Sequence, residues 1–212
     1  MAATEQAGGR ERILLAARRL FAESGYRGLS MREIADAAGV TKAALYYHFR
    51  DKEALFVAVI HAMVQEFGAM AAAAQLGAPT QRAAIEQIVC AIMAQPPEQK
   101  ALTQLVSQEL YQLAEAHRAV LVEEYHRLFL AKLHEVLARG VEAGEFRTLD
   151  PVVTTWALLG MLQPFFAPTT MGRASRTQTP EVVVELLRIF FDGIGQQDEY
   201  RVAVLAGVRE SE

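Results

Sequence analysis

The chain of 212 residues has one cysteine, Cys90, one tryptophan, 14 glycines and seven prolines. A single thiol cannot close an internal disulfide, which excludes a cross-linked fold and removes the usual mark of an oxidising compartment. The opening segment MAATEQAGGRER has no apolar stretch of the kind a secretory signal needs. The longest strongly apolar run, Trp156 to Leu162, stops at Gln163 and Pro164, well short of the ~20 residues that cross a bilayer. A cytoplasmic protein is expected. With 52% hydrophobic and 22% charged residues, the composition excludes intrinsic disorder. Little glycine and proline beside plentiful Ala, Leu, Glu, Gln and Arg favours helices over strands, so the expected fold is all-α, with one main core and a small appended module.

Signatures of catalysis are equally scarce. Histidines stand at His48, His61, His117, His126 and His134, and His134-Glu135 is followed by Val, Leu and Ala, so no HExxH zinc pair forms. His126 and His134 share a helix face two turns apart, without a third ligand. GxSxG, P-loop and Rossmann patterns are absent. No metal, no cofactor and no enzymatic activity are expected, and Cys90, between Val89 and Ala91, reads as a small core residue, with a redox sensor as the alternative.

The net charge of −4 hides a division. Residues 1–60 carry nine Lys/Arg against seven Asp/Glu, whereas residues 61–212 carry twelve against eighteen. Contact with a polyanion therefore belongs to the first sixty residues. There the local signals are dense. A first helix runs from about Arg10 to Ser24 and stops at Gly25. Ser30 is an N-cap, Glu33 completes a capping box, and Leu29 staples onto Ile34. This second helix ends at Ala38 before Gly39, and Thr41 caps a third that reaches Phe49. Asp51 caps a fourth.

Two short helices joined by a tight glycine turn make a helix-turn-helix, whose second helix is a reading head for a major groove ~12 Å wide. Leu45 and Phe49 share its inward face, leaving Lys42, Ala43, Tyr46 and Tyr47 outward. Lysine suits a base edge or phosphate, an alanine methyl suits thymine, and tyrosine hydroxyls suit phosphates. Ser30 and Thr41, at helix N-termini, can cap and touch phosphate together, and Lys52 is placed for the same use.

The stretch ILLAARRLFAESGYRGLSMREIADAAGVTKAALYYHFRDKEALF resembles the N-terminal DNA-binding domain of the TetR family of transcriptional regulators, over about residues 10–60 without a gap. The resemblance rests on LFAESGY, IADAAGVTKAALYYHF and DKEALF. It implies a bacterial homodimer, usually a repressor, that binds a near-palindromic operator and leaves it when a small molecule enters the C-terminal domain. Carried over, the DNA-contacting residues are Ser30, Met31, Arg32, Thr41, Lys42, Ala43, Tyr46, Tyr47, His48 and Lys52. Ala43 and Ala44 stand where family members often carry Gly, Ser or Thr, so fewer side chains remain to read bases. The expected division is a DNA-binding domain over 1–52 and an effector-binding and dimerisation domain over 53–212.

Beyond Lys52 the pattern predicts helices over roughly 52–75, 80–95, 98–115, 117–143, 151–167 and 180–194, with a basic, polar loop over 168–179 and a weakly patterned tail after Gly195. In the last helix Glu181, Glu185, Arg188 and Asp192 form one polar stripe and the rest is apolar, so a partner subunit is expected on Val183, Leu186, Leu187, Phe190, Phe191 and Ile194. The 151–167 helix has the same apolar excess. Bulky or flexible side chains, Met63, Phe67, Met93, Tyr111, Tyr125, Phe129, Trp156 and Phe165, are candidates for an apolar effector pocket, with Gln108, Tyr111, His117 and Gln163 as polar anchors and a hydrophobic ligand of low charge. An activator of the same fold is the alternative, followed by a helical adaptor or enzyme. An adaptor gives no reason for Lys42, Tyr46, Tyr47 and Lys52 to cluster.

Overall fold

In the computed structural model the described residues are 2–166 and 180–194, with side chains over 8–166 and 181–194. Among them there is helix and no strand. The helices are α1 (Ala2–Ser24), α2 (Met31–Ala38), α3 (Lys42–His48), α4 (Lys52–Gly77), α5 (Gln81–Met93), α6 (Pro97–Glu109), α7 (Glu115–Tyr125), α8 (Ala131–Glu142), α9 (Pro151–Leu162) and α10 (Pro180–Ile194). The predicted loop over 168–179 and the tail lie outside the described residues.

The boundaries follow side-chain chemistry. Ser30 Oγ accepts from Glu33 N–H while the Glu33 carboxylate accepts from Ser30 N–H at 2.8 Å, a complete capping box. Gly39 closes α2 at φ 63°, a left-handed conformation that a side chain disfavours, and its N–H reaches the carbonyls of Ala35 and Asp36. Thr41, Asp51 and Thr80 each cap the next helix through their side-chain oxygens. Helix α5 gains a second, distant cap, for the Glu145 carboxylate accepts from Gln81 N–H and Arg82 N–H, both at 3.0 Å.

Two expected helices are divided. The predicted 98–115 helix ends at Glu109, tightens into a 3₁₀ turn over Leu110–Gln112, and breaks where Leu113 and Ala114 become extended. The predicted 117–143 helix is continuous in space but carries a π turn over His126–Leu130 between α7 and α8. Gly68 of α4 faces that turn, where an added Cβ would come within 3.0 Å of the Leu128 carbonyl oxygen. The predicted 151–167 helix also tightens, into a 3₁₀ turn over Gln163–Phe166.

A single apolar core runs from Ile13 and Phe21 through Leu45, Phe56, Phe67 and Phe129 to Phe191. Helix α4 is long and apolar enough to cross a membrane, but it is the central core helix, with Leu55, Phe56, Val59, Ile60, Met63, Val64 and Phe67 buried against its neighbours. Helix α10 is gripped at its end. Phe146 stacks on Phe191, the Arg82 guanidinium lies 4.3 Å from the centre of the Phe191 ring, and Arg147 donates to Gly193 O and Ile194 O. Gly140 makes room for Phe146, since a Cβ there would fall 2.1 Å from the ring. Cys90 lies exposed on α5 rather than in the core.

Candidate nucleic-acid interface

Helices α1, α2 and α3 enclose a small core of Phe21, Ile34, Ala35, Ala38, Leu45 and Phe49, all buried. With Leu45 and Phe49 inward, the outward face of α3 carries Thr41, Lys42, Ala43, Tyr46 and Tyr47. Tyr47 is 74% exposed, an unusual position for a large aromatic side chain. The Lys42 ammonium sits 5.8 Å from the Tyr46 ring centre, so the two side chains present a charge and a hydroxyl side by side. Ser30 and Arg32 are exposed at the start of α2, and Arg32 is only loosely paired with Asp36 at 3.9 Å.

Three expected contact residues sit differently. Met31 is 8% exposed and packs into the core, because it follows the cap on the inward side of α2. His48 is half-buried, its ring edge-on to Tyr47 and facing Gly9 of α1. Lys52 Nζ is occupied internally. It donates to the carbonyls of Tyr26 at 2.8 Å and Leu29 at 2.9 Å and lies 4.5 Å from the Tyr26 ring centre, closing the loop that leads into α2. Sequence reading missed Arg10, an exposed residue of α1 whose guanidinium lies over Phe49 at 5.4 Å, beside the end of α3. No spacing rule links positions 10 and 49.

The reading head is tied to the body by polar contacts. Arg18 of α1 donates to Glu66 of α4 at 2.6 Å and to Gln99 of α6 at 2.8 Å. Arg27 donates to Gln112. His117 Nδ1 lies 2.7 Å from Glu53 Oε1, which also accepts from Ala114 N–H at 3.1 Å, and these two bonds hold the Glu53 carboxyl below its ordinary range. His117, expected as a ligand anchor, is therefore part of this tie.

In the body the expected pocket residues divide. Met63, Phe67, Met93 and Phe129 are buried, Tyr125 and Phe165 half-buried. Phe67, Phe129 and Tyr125 form one aromatic chain, with ring centres 5.5 and 5.4 Å apart. Burial pushes the Tyr125 phenol up, so it stays a neutral hydroxyl. Gln108, Gln163, Tyr111 and Trp156 instead face outward, the last two 77% and 56% exposed. Leu186, Leu187, Phe190, Phe191 and Ile194, expected at a subunit interface, are buried within their own chain, and Val183 is half-buried. The apolar side chains that α9 and α10 leave uncovered are Val152, Val153, Trp156, Val184 and Ile189. The rings of His126 and His134 lie 5.9 Å apart, and no group of three metal-ligating side chains is assembled among the described residues.

A capped helix held outward on a left-handed glycine turn, with a lysine and two tyrosines exposed on its face, defines a helix-turn-helix DNA-binding regulator. The comparisons agree. Residues 13–59 match the family model of bacterial regulatory proteins of the tetR family, and residues 77–166 match that of the tetracyclin repressor-like C-terminal domain. The chain belongs to the TetR family. It is 48% identical over 50 residues to the transcriptional repressor AcnR of Corynebacterium efficiens, a stretch covering 24% of this chain and 27% of that one. It is 29% identical over 144 residues to the transcriptional repressor KstR2 of Rhodococcus jostii, covering 68% and 70%. The crystal structure of the TetR-family regulator PfmR from Thermus thermophilus superposes with a TM-score of 0.72 at 28% identity, covering 89% and 98%. These proteins are DNA-binding transcriptional regulators, not enzymes.

Proposed function

We propose that the protein is a cytoplasmic homodimeric repressor that binds a near-palindromic operator and is released by a small, largely apolar effector. The observation that carries this reading is the outward face of α3, where Lys42, Ala43, Tyr46 and Tyr47 stand free of the core that Leu45 and Phe49 anchor. Thr41 and Ser30 add capped helix N-termini to the same side, and Arg10 adds a positive charge beside Phe49. Met31 and Lys52 support the head from within.

Dimerisation is supported by the uncovered apolar side chains Val153 and Trp156 of α9 and Val184 and Ile189 of α10. A two-fold pairing there sets two reading heads against half-sites ~34 Å apart. Effector binding is supported by the aromatic chain of Phe67 of α4, Phe129 of the π turn and Tyr125 of α7, with Met63 one turn before Phe67 on α4. Of the relatives named above, AcnR and KstR2 are transcriptional repressors, and the same reading head serves an activator equally well.

The test is a search for operator sites in genomic DNA bound by the purified protein, followed by anisotropy titrations of the recovered duplex. Tyr47→Ala should weaken binding to the recovered site more than to random duplex, because it removes a group on the reading face. Equal binding of parent and Tyr47→Ala to both duplexes would remove α3 as the reading helix. A reporter gene behind the recovered site, with and without the protein, gives the sign of regulation.

A further inference from the structure

Among the residues of α3 only Leu45 is buried, so the direction of its outward side chains depends on what stands beside them rather than on the core. Tyr47 leans on His48. The two ring centres lie 5.2 Å apart with their planes at 77°, an edge-to-face pair. A tyrosine exposed on a short helix has several rotamers open to it. A neighbour that selects one of them before binding removes part of the ordering cost of a complex.

His48 itself is seated on another helix. Its Nε2 faces the buried Gly9 of α1, where an added Cβ would stand 3.6 Å away, at ordinary contact distance. Its ring centre lies 6.4 Å from that of Phe49, the buried residue on which α3 ends. The Arg10 guanidinium lies 5.4 Å from the centre of the same Phe49 ring. Gly9 and Arg10 are consecutive, so one turn of α1 meets both the imidazole and the ring that closes α3. The half-buried imidazole thus stands between the start of α1 and the most exposed tyrosine of the reading face.

We propose that His48 is a positioning residue: seated on Gly9, its ring selects the rotamer in which Tyr47 meets the operator, and it does so without touching DNA itself. This rests on the reading of α3 given above and replaces the direct contact that the resemblance implied for His48. It also gives α1 a part in sequence reading through Gly9, a residue with no side chain to offer to DNA.

The experiment uses the whole 212-residue chain and the variants Tyr47→Ala, His48→Ala, His48→Phe and Gly9→Leu. Affinities for the recovered operator and for random duplex are measured by anisotropy at several salt concentrations, with a melting curve for each variant. His48→Phe keeps a planar ring but has no donor for a phosphate. Gly9→Leu leaves α3 unchanged, favours helix, and fills the place of the imidazole. Tyr47→Ala, His48→Ala and Gly9→Leu should each narrow the ratio of operator to random affinity by about three- to tenfold, while His48→Phe keeps it within about twofold. The double variant Tyr47→Ala/His48→Ala should lose no more than Tyr47→Ala alone, because the imidazole acts through that ring. A merely structural role would lower the melting temperature and weaken both duplexes alike, leaving the ratio unmoved. The proposal is overturned if His48→Ala or Gly9→Leu keeps the parent's ratio while Tyr47→Ala does not, or if the two alanine losses add in the double variant. It is also overturned if His48→Phe loses as much as His48→Ala, and a flatter salt slope in both would then mark a phosphate contact. Parent-like binding by Tyr47→Ala removes the reading of α3 and this proposal together.

Discussion

Replacing Lys52 by alanine separates two roles open to a lysine that begins a helix beside DNA. In one it neutralises a phosphate, in the other it holds the protein's own backbone. The structure gives its amine two carbonyl acceptors, Tyr26 O at 2.8 Å and Leu29 O at 2.9 Å, with the Tyr26 ring 4.5 Å away. Charge-assisted bonds of this kind contribute about 1.5–3 kcal/mol each when shielded, and the half-buried setting and replacement by water reduce the pair to about 2 kcal/mol in all. For a chain of this size that is a fall in melting temperature of about 4–8 °C. Operator affinity should fall too, because the loop before Ser30 loses its fastening. The slope of log K against log salt should nevertheless stay as in the parent, whereas loss of one phosphate contact lowers it by ~0.9. Melting curves and anisotropy titrations at several salt concentrations decide between the roles. An unchanged melting temperature together with a flatter salt slope would refute the internal role.

Three further outcomes are expected. Ile189→Glu should give a folded monomer in light scattering, while Phe190→Glu, which puts a charge inside the chain's own core, should fail to give a cooperative melt; a dimeric Ile189→Glu would move the interface elsewhere. Gly140→Ala should cost about 1–3 kcal/mol in denaturant melts by driving Phe146 off its seat under α10. Glu53, held below its usual pKa by His117 and Ala114 N–H, stabilises the fold above the ordinary carboxylate value of 4.5, and that contribution is lost as pH falls through the lowered value. Glu53→Gln should therefore show a shallower loss of stability than the parent as pH falls below the ordinary carboxylate value, in acid titrations followed by circular dichroism.

The reading head was legible because its signals are local. Ser30 and Glu33, Gly39, and Thr41 act on backbone groups within three or four residues, and the inward pair Leu45 and Phe49 repeats at a helical turn. The body was less so. Helices α9 and α10 are apolar on nearly every side, and such a pattern says that they are covered without saying by what. Phe190 and Ile189 are neighbours in sequence, yet one lies inside the chain and the other outside it. Trp156 and Tyr111 were chosen for size, which carries no direction. The roles of Lys52 and Arg10 depend on partners many residues away.

The tie between Arg18, Glu66 and Gln99 bears on how such proteins diversify. By sequence the first helix is part of a portable DNA-reading module that ends near residue 52. By contact it is shared property, since its arginine is held by two helices of the body, and α4 continues unbroken from Lys52 to Gly77. A recombinant that exchanges residues 1–52 for another family member's head keeps Glu66 and Gln99 and inherits whatever stands opposite them. Chimeras of this chain therefore need their junction matched at the α1 seam, with an arginine at the position of Arg18, and heads lacking it would join a body that no longer holds them in register.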